Sequence, residues 1–422
     1  MLMHLKKTLV ALTGLLALVL AVPAAHAAPL DGNSSDVMLQ GFHWYSYQTY
    51  PWWGIIKNNA AAIKSAGFTM VWLPPPSDSA SNEGYLPRRL SILDSKYGST
   101  ADLKSALSAL NSNGVKPIAD LVLNHRVGTN NWADFTDPIW NADAVCKGDE
   151  WSGATGAPDT GDGYGSARDI DHTKQYVQDS IVGWMNNTLK PAGFAGWRYD
   201  YVKGYGGSYV GSYNTRTAPY FSVGEYWTTL DLNNVDAHRQ LIMNWLDATG
   251  GNSGAFDFTT KGLLQQAVQY SEFWRLKDAA AKPAGAIGWW AAKSVTFIDN
   301  HDTGPSTPSG GQNLWPFPGD KILQGYAYIL THPGIPCVYW VHYFDWGSAN
   351  QTAIKTMIGI RKSKGITSTS AVSIQAADSS KYAAIITGTS GKVAMKIGPG
   401  PWSPTGTWTL ATSGNNYAIW TQ

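Results

Sequence analysis

Cysteine is nearly absent from this chain: Cys146 and Cys337 are the only two among 422 residues. One bridge at most could form, which excludes a disulfide scaffold. Cys146 lies in a loop-like stretch and Cys337 in a β-rich run, so both read as free thiols. Charge is also scarce. Acidic and basic residues make up 14% of the chain, against roughly 25% in an average soluble protein, and 31 Lys+Arg against 30 Asp+Glu leave a formal charge of +1. So even a balance excludes a polyanion-binding surface, and no nucleic-acid partner is expected. Long apolar runs are missing as well. The longest, Leu9 to Val22, falls short of the about 20 residues a membrane span needs. It follows Lys6 and Lys7 and precedes Ala25-His26-Ala27, a small-x-small cleavage pattern. Residues 1–27 therefore read as a secretory signal peptide, and the remainder as a secreted, extracellular, soluble chain with no membrane contact.

What is present is apolar and aromatic. Hydrophobic residues are 44% of the chain, aromatics are 12%, and there are 20 Trp and 21 Tyr. That is more flat amphipathic surface than a core requires, and it suggests stacking on sugars. Eight β-rich runs recur: 37–44, 68–74, 115–123, 194–202, 220–227, 255–258, 294–299 and 335–340. Stretches with helical spacing lie between most of them, such as 100–111, 173–189, 263–274 and 319–330. Eight strands alternating with helices predict an α/β fold, a (β/α)8 TIM barrel. The rhythm breaks after the third run, where residues 126–168 are rich in Gly, Asp, Asn and Trp without a helical period. Such an insertion reads as a small loop-rich domain. From residue 365 to 422 five short alternating segments predict a C-terminal antiparallel β-sheet domain. The barrel is thus expected from residues 28–125 and 169–364.

In such a barrel the active site lies at the C-terminal ends of the strands. Four runs close on polar residues there: Asp120-Leu-Val-Leu-Asn124-His125, Gly196-Trp-Arg198-Tyr-Asp200, Val223-Gly-Glu225-Tyr-Trp227 and Phe297-Ile-Asp299-Asn300-His301-Asp302. Asp200, Glu225 and Asp302 would project from the fourth, fifth and seventh strands into one bowl, beside Arg198. Acetal hydrolysis needs such a set, with one acid protonating the leaving oxygen while a carboxylate meets the oxocarbenium-like centre. Arg198, two residues before Asp200, lies on the same strand face and would keep that carboxylate ionised.

These four segments, in this order, resemble the signature regions of the α-amylase family of retaining glycoside hydrolases. Gly84-Tyr85-Leu-Pro87, Ser95-Lys-Tyr-Gly98, Asp169-Ile-Asp171-His172, Phe256-Asp-Phe-Thr-Thr-Lys261, Gly288-Trp289-Trp290 and Tyr326-Ala-Tyr-Ile-Leu-Thr331 resemble the secreted plant members in particular. The resemblance implies an endo-acting enzyme that hydrolyses internal α-1,4 links of starch and glycogen to maltooligosaccharides with retention. It implies Asp200 as nucleophile, Glu225 as general acid and base, and Asp302 as the group that grips sugar hydroxyls. It further implies that His125, His301 and Arg198 serve the sugar at the cleavage point, Lys203 the leaving-group side, and Tyr85 the ring next to the scissile bond. Trp289 and Trp290 would form a platform for starch granules.

By the same resemblance one structural Ca2+ ties the insertion to the barrel through Asn124, Asp159, Asp169 and the carbonyls of Asp162 and Gly204. The loop from Asp159 to Asp169 is rich in the oxygen donors that calcium takes. Gly161-Asp-Gly163-Tyr-Gly165 in that loop superficially suggests a phosphate cradle, but it neither follows a strand nor opens a helix, and a turn around the ion explains it better. A monomer is expected.

Overall fold

The computed structural model describes residues 30, 32–130, 132–307 and 310–422; the leader expected at residues 1–27 lies outside them. Eight parallel strands, Met38–Gln40, Met70–Leu73, Lys116–Leu121, Gly196–Tyr199, Phe221–Gly224, Gly254–Phe256, Ser294–Thr296 and Ile335–Tyr339, follow one another in chain order around a closed barrel. The last pairs with the first. Each coincides with one of the eight β-rich runs but is shorter, because the polar residues that close the runs leave the ladder and become the site. The strands read as almost unbroken apolar runs because helices cover their outer face and side chains fill the inside.

Register decides which polar ends meet. Asp120 pairs with Arg198 across the third and fourth strands, and Tyr199 with Gly224 across the fourth and fifth. Asp200 and Glu225 each follow one of those last two residues, so the barrel sets them side by side.

The helices around the barrel follow from local chemistry. Ser99 and Asp102 close a reciprocal capping box at the head of Thr100–Ser112, an arrangement worth about 1 kcal/mol. Trp52–Ala66 buries Ile56, Ala60 and Ile63 on one face. The helix expected at 263–274 instead spans Phe258–Tyr270. Asp257 accepts from Thr260 N at 2.8 Å and starts it early; Ser271, in the left-handed region, ends it.

The insertion contains a two-stranded antiparallel ladder, His125–Arg126 with Arg168–Asp169, which brings its two ends together at the mouth of the barrel. Five antiparallel strands follow the barrel, Ala371–Ala377, Tyr382–Gly388, Gly391–Ile397, Thr409–Gly414 and Tyr417–Thr421, with the last lying between the third and the fourth. Their sheet is moored to the barrel where His332 Nε2 meets Tyr382 Oη at 2.9 Å and Gly398 N donates to Gln324 at 3.1 Å. Cys146 and Cys337 are both free and buried. Among the described residues no helix is long and apolar enough to cross a membrane.

Candidate active site

Arg198 is the hub of the bowl. Its guanidinium is fully buried at the end of the fourth strand. Nη1 donates to Asp120 Oδ1 and to Asp200 Oδ1, both at 2.7 Å, and Nη2 lies 2.8 Å from Glu225 Oε2. One cation therefore anchors three carboxylates. The chain turns sharply after Asp200, because Tyr201 adopts a left-handed backbone with φ 44°. Its N–H then faces Glu225 Oε2 at 3.4 Å. A bulky residue in that region is costly and persists only where its surroundings hold it.

The two central acids differ in environment. Burial pushes the Glu225 carboxyl well above the usual carboxylate range; Arg198 pulls it down, while Asp200, Asp302 and Asp120 push it further up. Glu225 Oε1 is buried without a hydrogen-bond partner. A carboxyl held protonated with one oxygen free can donate a proton, and a second carboxyl anchored beside it on the same arginine is placed to attack.

Asp302, on the turn after the seventh strand, is pushed up to about 7, first by burial and then by Asp200 and Asp120 against Arg198. His301 Nε2 lies 3.4 Å from Asp302 Oδ2, and Nδ1 meets the Gln40 side-chain amide at 3.0 Å. Burial and Arg198 keep His301 neutral. Its ring stacks within 8° of parallel on Tyr85 at 5.1 Å, and Trp44 lies parallel to both at 6.0 Å. Tyr85 also donates through its hydroxyl to Asp120 Oδ2 at 2.8 Å.

His125 lies beside Tyr85. Its Nε2 contacts the Tyr85 carbonyl at 2.8 Å and Tyr164 stacks on its face at 3.9 Å, so protein groups already engage both. Burial lowers its pKa. Lys203 faces a cavity of about 290 Å³ with Tyr201, Glu225, Trp227, Thr228 and Thr229, and its ammonium lies 5.1 Å over the Tyr201 ring. The structure thus gathers Asp200, Glu225, Asp302, Arg198, Tyr85, His125, His301 and Lys203 around one bowl.

The residues expected to hold calcium also meet. Asn124 Nδ2 donates to Asp169 Oδ1 at 3.1 Å, leaving Asn124 Oδ1 buried and without a partner, and Asp159 Oδ2 is buried and unpartnered too. Asp162 N donates to the Lys203 carbonyl at 2.9 Å, which seats the loop on the segment holding Gly204. A Cβ on Gly204 would run into Asn124 Oδ1. Burial and neighbouring acids push Asp169 up to about 7 and raise Asp159. Two orphaned oxygens and two carboxyls raised by burial fit a hard cation with oxygen ligands. Among the described residues no group of three or more His, Cys, Asp or Glu could hold a metal, so this donor set depends on its amide and carbonyl oxygens.

Trp289 and Trp290 lie elsewhere, on the short helix Ile287–Trp290 that precedes the seventh strand, at the end of the barrel away from the acids. Trp289 is exposed, with the Arg239 guanidinium 4.0 Å from its ring. Trp290 packs against the core.

Residue patterns missed four contributors: Asp120, Gln40, Trp44 and Tyr164. Asp120 was readable as the first acid of a strand-end run, but it sits inside the barrel, where Trp72 Nε1 also donates to it at 3.0 Å. The other three reach the bowl only through the folded chain.

Comparison with known proteins agrees with this geometry. Residues 52–142 match the family described as "Alpha amylase, catalytic domain", and residues 363–421 match "Alpha-amylase C-terminal beta-sheet domain". The chain is similar to "Probable alpha-amylase 2" of Arabidopsis thaliana, 45% identical over 92% of this chain and 94% of that one. It is 40% identical to "Alpha-amylase 3, chloroplastic" of Arabidopsis thaliana over 92% of this chain, spanning 44% of that longer protein. It is 32% identical to "Glucan 1,4-alpha-maltotetraohydrolase" of Stutzerimonas stutzeri, over 84% of this chain and 66% of that one. Among solved structures, a cyclomaltodextrin glucanotransferase with a three-domain ABC distribution shares the fold at a TM-score of 0.70 and 16% identity, over 92% of this chain and 99% of that one.

Proposed function

The chain belongs to the α-amylase family of glycoside hydrolases, and from that premise we propose that it is a secreted, endo-acting enzyme that cleaves internal α-1,4 links of starch and glycogen with retention. The observation that carries the reading is the sharing of Arg198 by Asp200 and Glu225, at 2.7 and 2.8 Å. Two carboxyls on one guanidinium are held close together, and a retaining mechanism needs its two carboxyls as near neighbours.

In this reading a glucan lies across the bowl with one ring against Tyr85. Asp200 attacks the anomeric carbon as the carbon–oxygen link breaks, and Glu225 gives its proton to the departing oxygen. A β-linked glycosyl ester on Asp200 results. Water then attacks the same carbon, Glu225 takes back a proton, and the ester opens to release the α-anomer. Asp302 grips ring hydroxyls, and neutral His301, whose Nδ1 faces the Gln40 amide, turns its Nε2 proton toward the sugar side. Lys203 meets the leaving-group part of the chain. Arg198 orients Asp200 through their 2.7 Å hydrogen bond, while burial keeps Glu225 protonated.

Asn124, Asp159, Asp169 and the carbonyls of Asp162 and Gly204 would hold one Ca2+. The ion would order the cleft wall formed by residues 126–168 and take no part in bond cleavage. Trp289, the exposed ring of the pair, would serve as a surface platform for granules, while Trp290 packs against the core. Export rests on Lys6, Lys7 and the apolar run before Ala27; one relative is named as chloroplastic, so the destination is argued from this chain's own leader. N-terminal sequencing of protein recovered from culture medium tests it, and a start at Ala28 is expected.

The test of activity follows chain length and anomeric form of products from soluble amylose. Mixed α-anomeric maltooligosaccharides are expected early in the reaction, from a monomeric enzyme. The likeness to a maltotetraohydrolase favours one alternative, release of a single fixed oligosaccharide, and the same chromatogram separates the two.

A further inference from the structure

The Phe256-Asp-Phe-Thr-Thr-Lys261 block ends on a fully buried lysine, Lys261. Its ammonium lies 3.5 Å from Asp299 Oδ1, also fully buried, and donates to the Trp315 carbonyl at 2.6 Å and to Gln265 Oε1. Burying two charges is costly unless they are paired and hydrogen-bonded, as these are.

Asp299 specifies the loop that carries Asp302. Its Oδ1 accepts from the Thr303 hydroxyl at 3.0 Å, and its two oxygens accept from Phe317 N at 3.2 and 3.1 Å. Those contacts pin the residue just after Asp302 and the far end of the loop. Asn300 completes the turn, accepting from Asp302 N at 3.0 Å and Thr303 N at 2.8 Å through Oδ1. Gly304 passes so close that a Cβ there would press on the Asp299 side chain at 2.8 Å. From the other side His342 Nε2 stands 3.6 Å from Asp299 Oδ2, while its Nδ1 meets Tyr326 Oη at 2.9 Å. The carboxylate is therefore enclosed by the helix bearing Lys261, the loop bearing Asp302 and the segment bearing His342.

We propose that Asp299, gripped by Lys261, is a positioning residue for the reaction: the pair fixes the turn that presents Asp302 to the sugar. The proposal rests on the role given to Asp302 above. A displacement of about 1 Å in a catalytic group costs on the order of 10²-fold in rate, and a loosened turn at Thr303 would allow one.

The test is a double-mutant cycle on the full chain with soluble amylose, using Asp299→Asn, Asp302→Asn and both together, with kcat, KM and Tm measured for each. Asp299→Asn is expected to lower kcat by about 10²-fold while KM changes by less than about threefold. In the Asp302→Asn background the same change is expected to cost at most about threefold, because the group it positions has lost its charge. An equal loss in both backgrounds assigns Asp299 a merely structural role and overturns the proposal, as does an unchanged kcat. A fully active Asp302→Asn enzyme would instead overturn the role given to Asp302. Should Asp299→Asn fail to fold, Thr303→Val removes the hydrogen bond to Asp299 Oδ1 together with the one its hydroxyl accepts from Asn300 N, and leaves the Lys261 pair intact. It is expected to lower kcat by about tenfold in the wild-type background only, and a loss of equal size in both backgrounds again overturns the proposal.

Discussion

Glu225 Oε2 lies 2.8 Å from Arg198 Nη2, while Glu225 Oε1, on the same carboxyl, is buried without a hydrogen-bond partner. The tethered oxygen fixes where the group points, and in the acid role proposed for Glu225 the free one is where a proton would meet a leaving oxygen. Glu225→Gln keeps the shape and removes the transferable proton. Its kcat on amylose is expected to fall by about three decades or more, with binding of amylose retained. Stopped assays on purified variant and wild type check this, and a loss under about tenfold would remove Glu225 from the acid role.

The pH profile follows from the same environment. Burial first, then Asp200, Asp302 and Asp120, raise Glu225, and Arg198 opposes them. A general acid must be protonated, so kcat/KM falls as pH rises through that raised value, and this is the alkaline limb. Asp302→Asn removes one negative charge, which lowers the Glu225 pKa. The alkaline limb of the variant's residual activity is therefore expected to move to lower pH. A limb that stays in place or moves upward would separate Glu225 from it.

Much of this site was legible because barrel topology converts a position in sequence into a position in space. Asp200, Glu225 and Asp302 end apolar runs, and a run's last polar residue points into the bowl whatever the loops do. Asp120 escaped because it lies within its strand, where sequence alone does not distinguish an inward acid from the start of the next loop. Gln40, Trp44 and Tyr164 escaped for a different reason. Each acts through a ring or amide contact with a residue far away in the chain, and such contacts leave no local period. The helix carrying Lys261 was placed five residues late because Asp257, its cap, stood within a β-rich run.

Calcium should matter to stability more than to chemistry. Asn124 Oδ1 and Asp159 Oδ2 are unpartnered, so the loop from Asp159 to Asp169 is expected to gain from a bound cation. Calcium at a hundredfold over its dissociation constant would add about 2.7 kcal/mol. Chelation is thus expected to lower Tm by several degrees, and added calcium to restore it. Asp159→Asn should lower Tm in calcium and abolish most of the difference that chelator makes. A wild type whose Tm ignores both chelator and calcium would remove the ion from this loop.

The tandem tryptophans separate a surface role from a packing role. Trp289 is 41% exposed, with the Arg239 guanidinium 4.0 Å from its ring, while Trp290 packs against the core. Stacking on a sugar is worth about 1 kcal/mol beyond buried area, or roughly fivefold in affinity. Trp289→Ala should therefore weaken adsorption to starch granules by about that factor, with Tm nearly unchanged and hydrolysis of short soluble maltooligosaccharides intact. Trp290→Ala should show the reverse emphasis, a lower Tm from lost packing. Sedimentation of granules with bound enzyme, read beside thermal melts, distinguishes them. Equal loss of adsorption at equal Tm would make both rings one platform, and unchanged adsorption in Trp289→Ala would end the platform reading, since Trp289 is the ring that stands clear of the core.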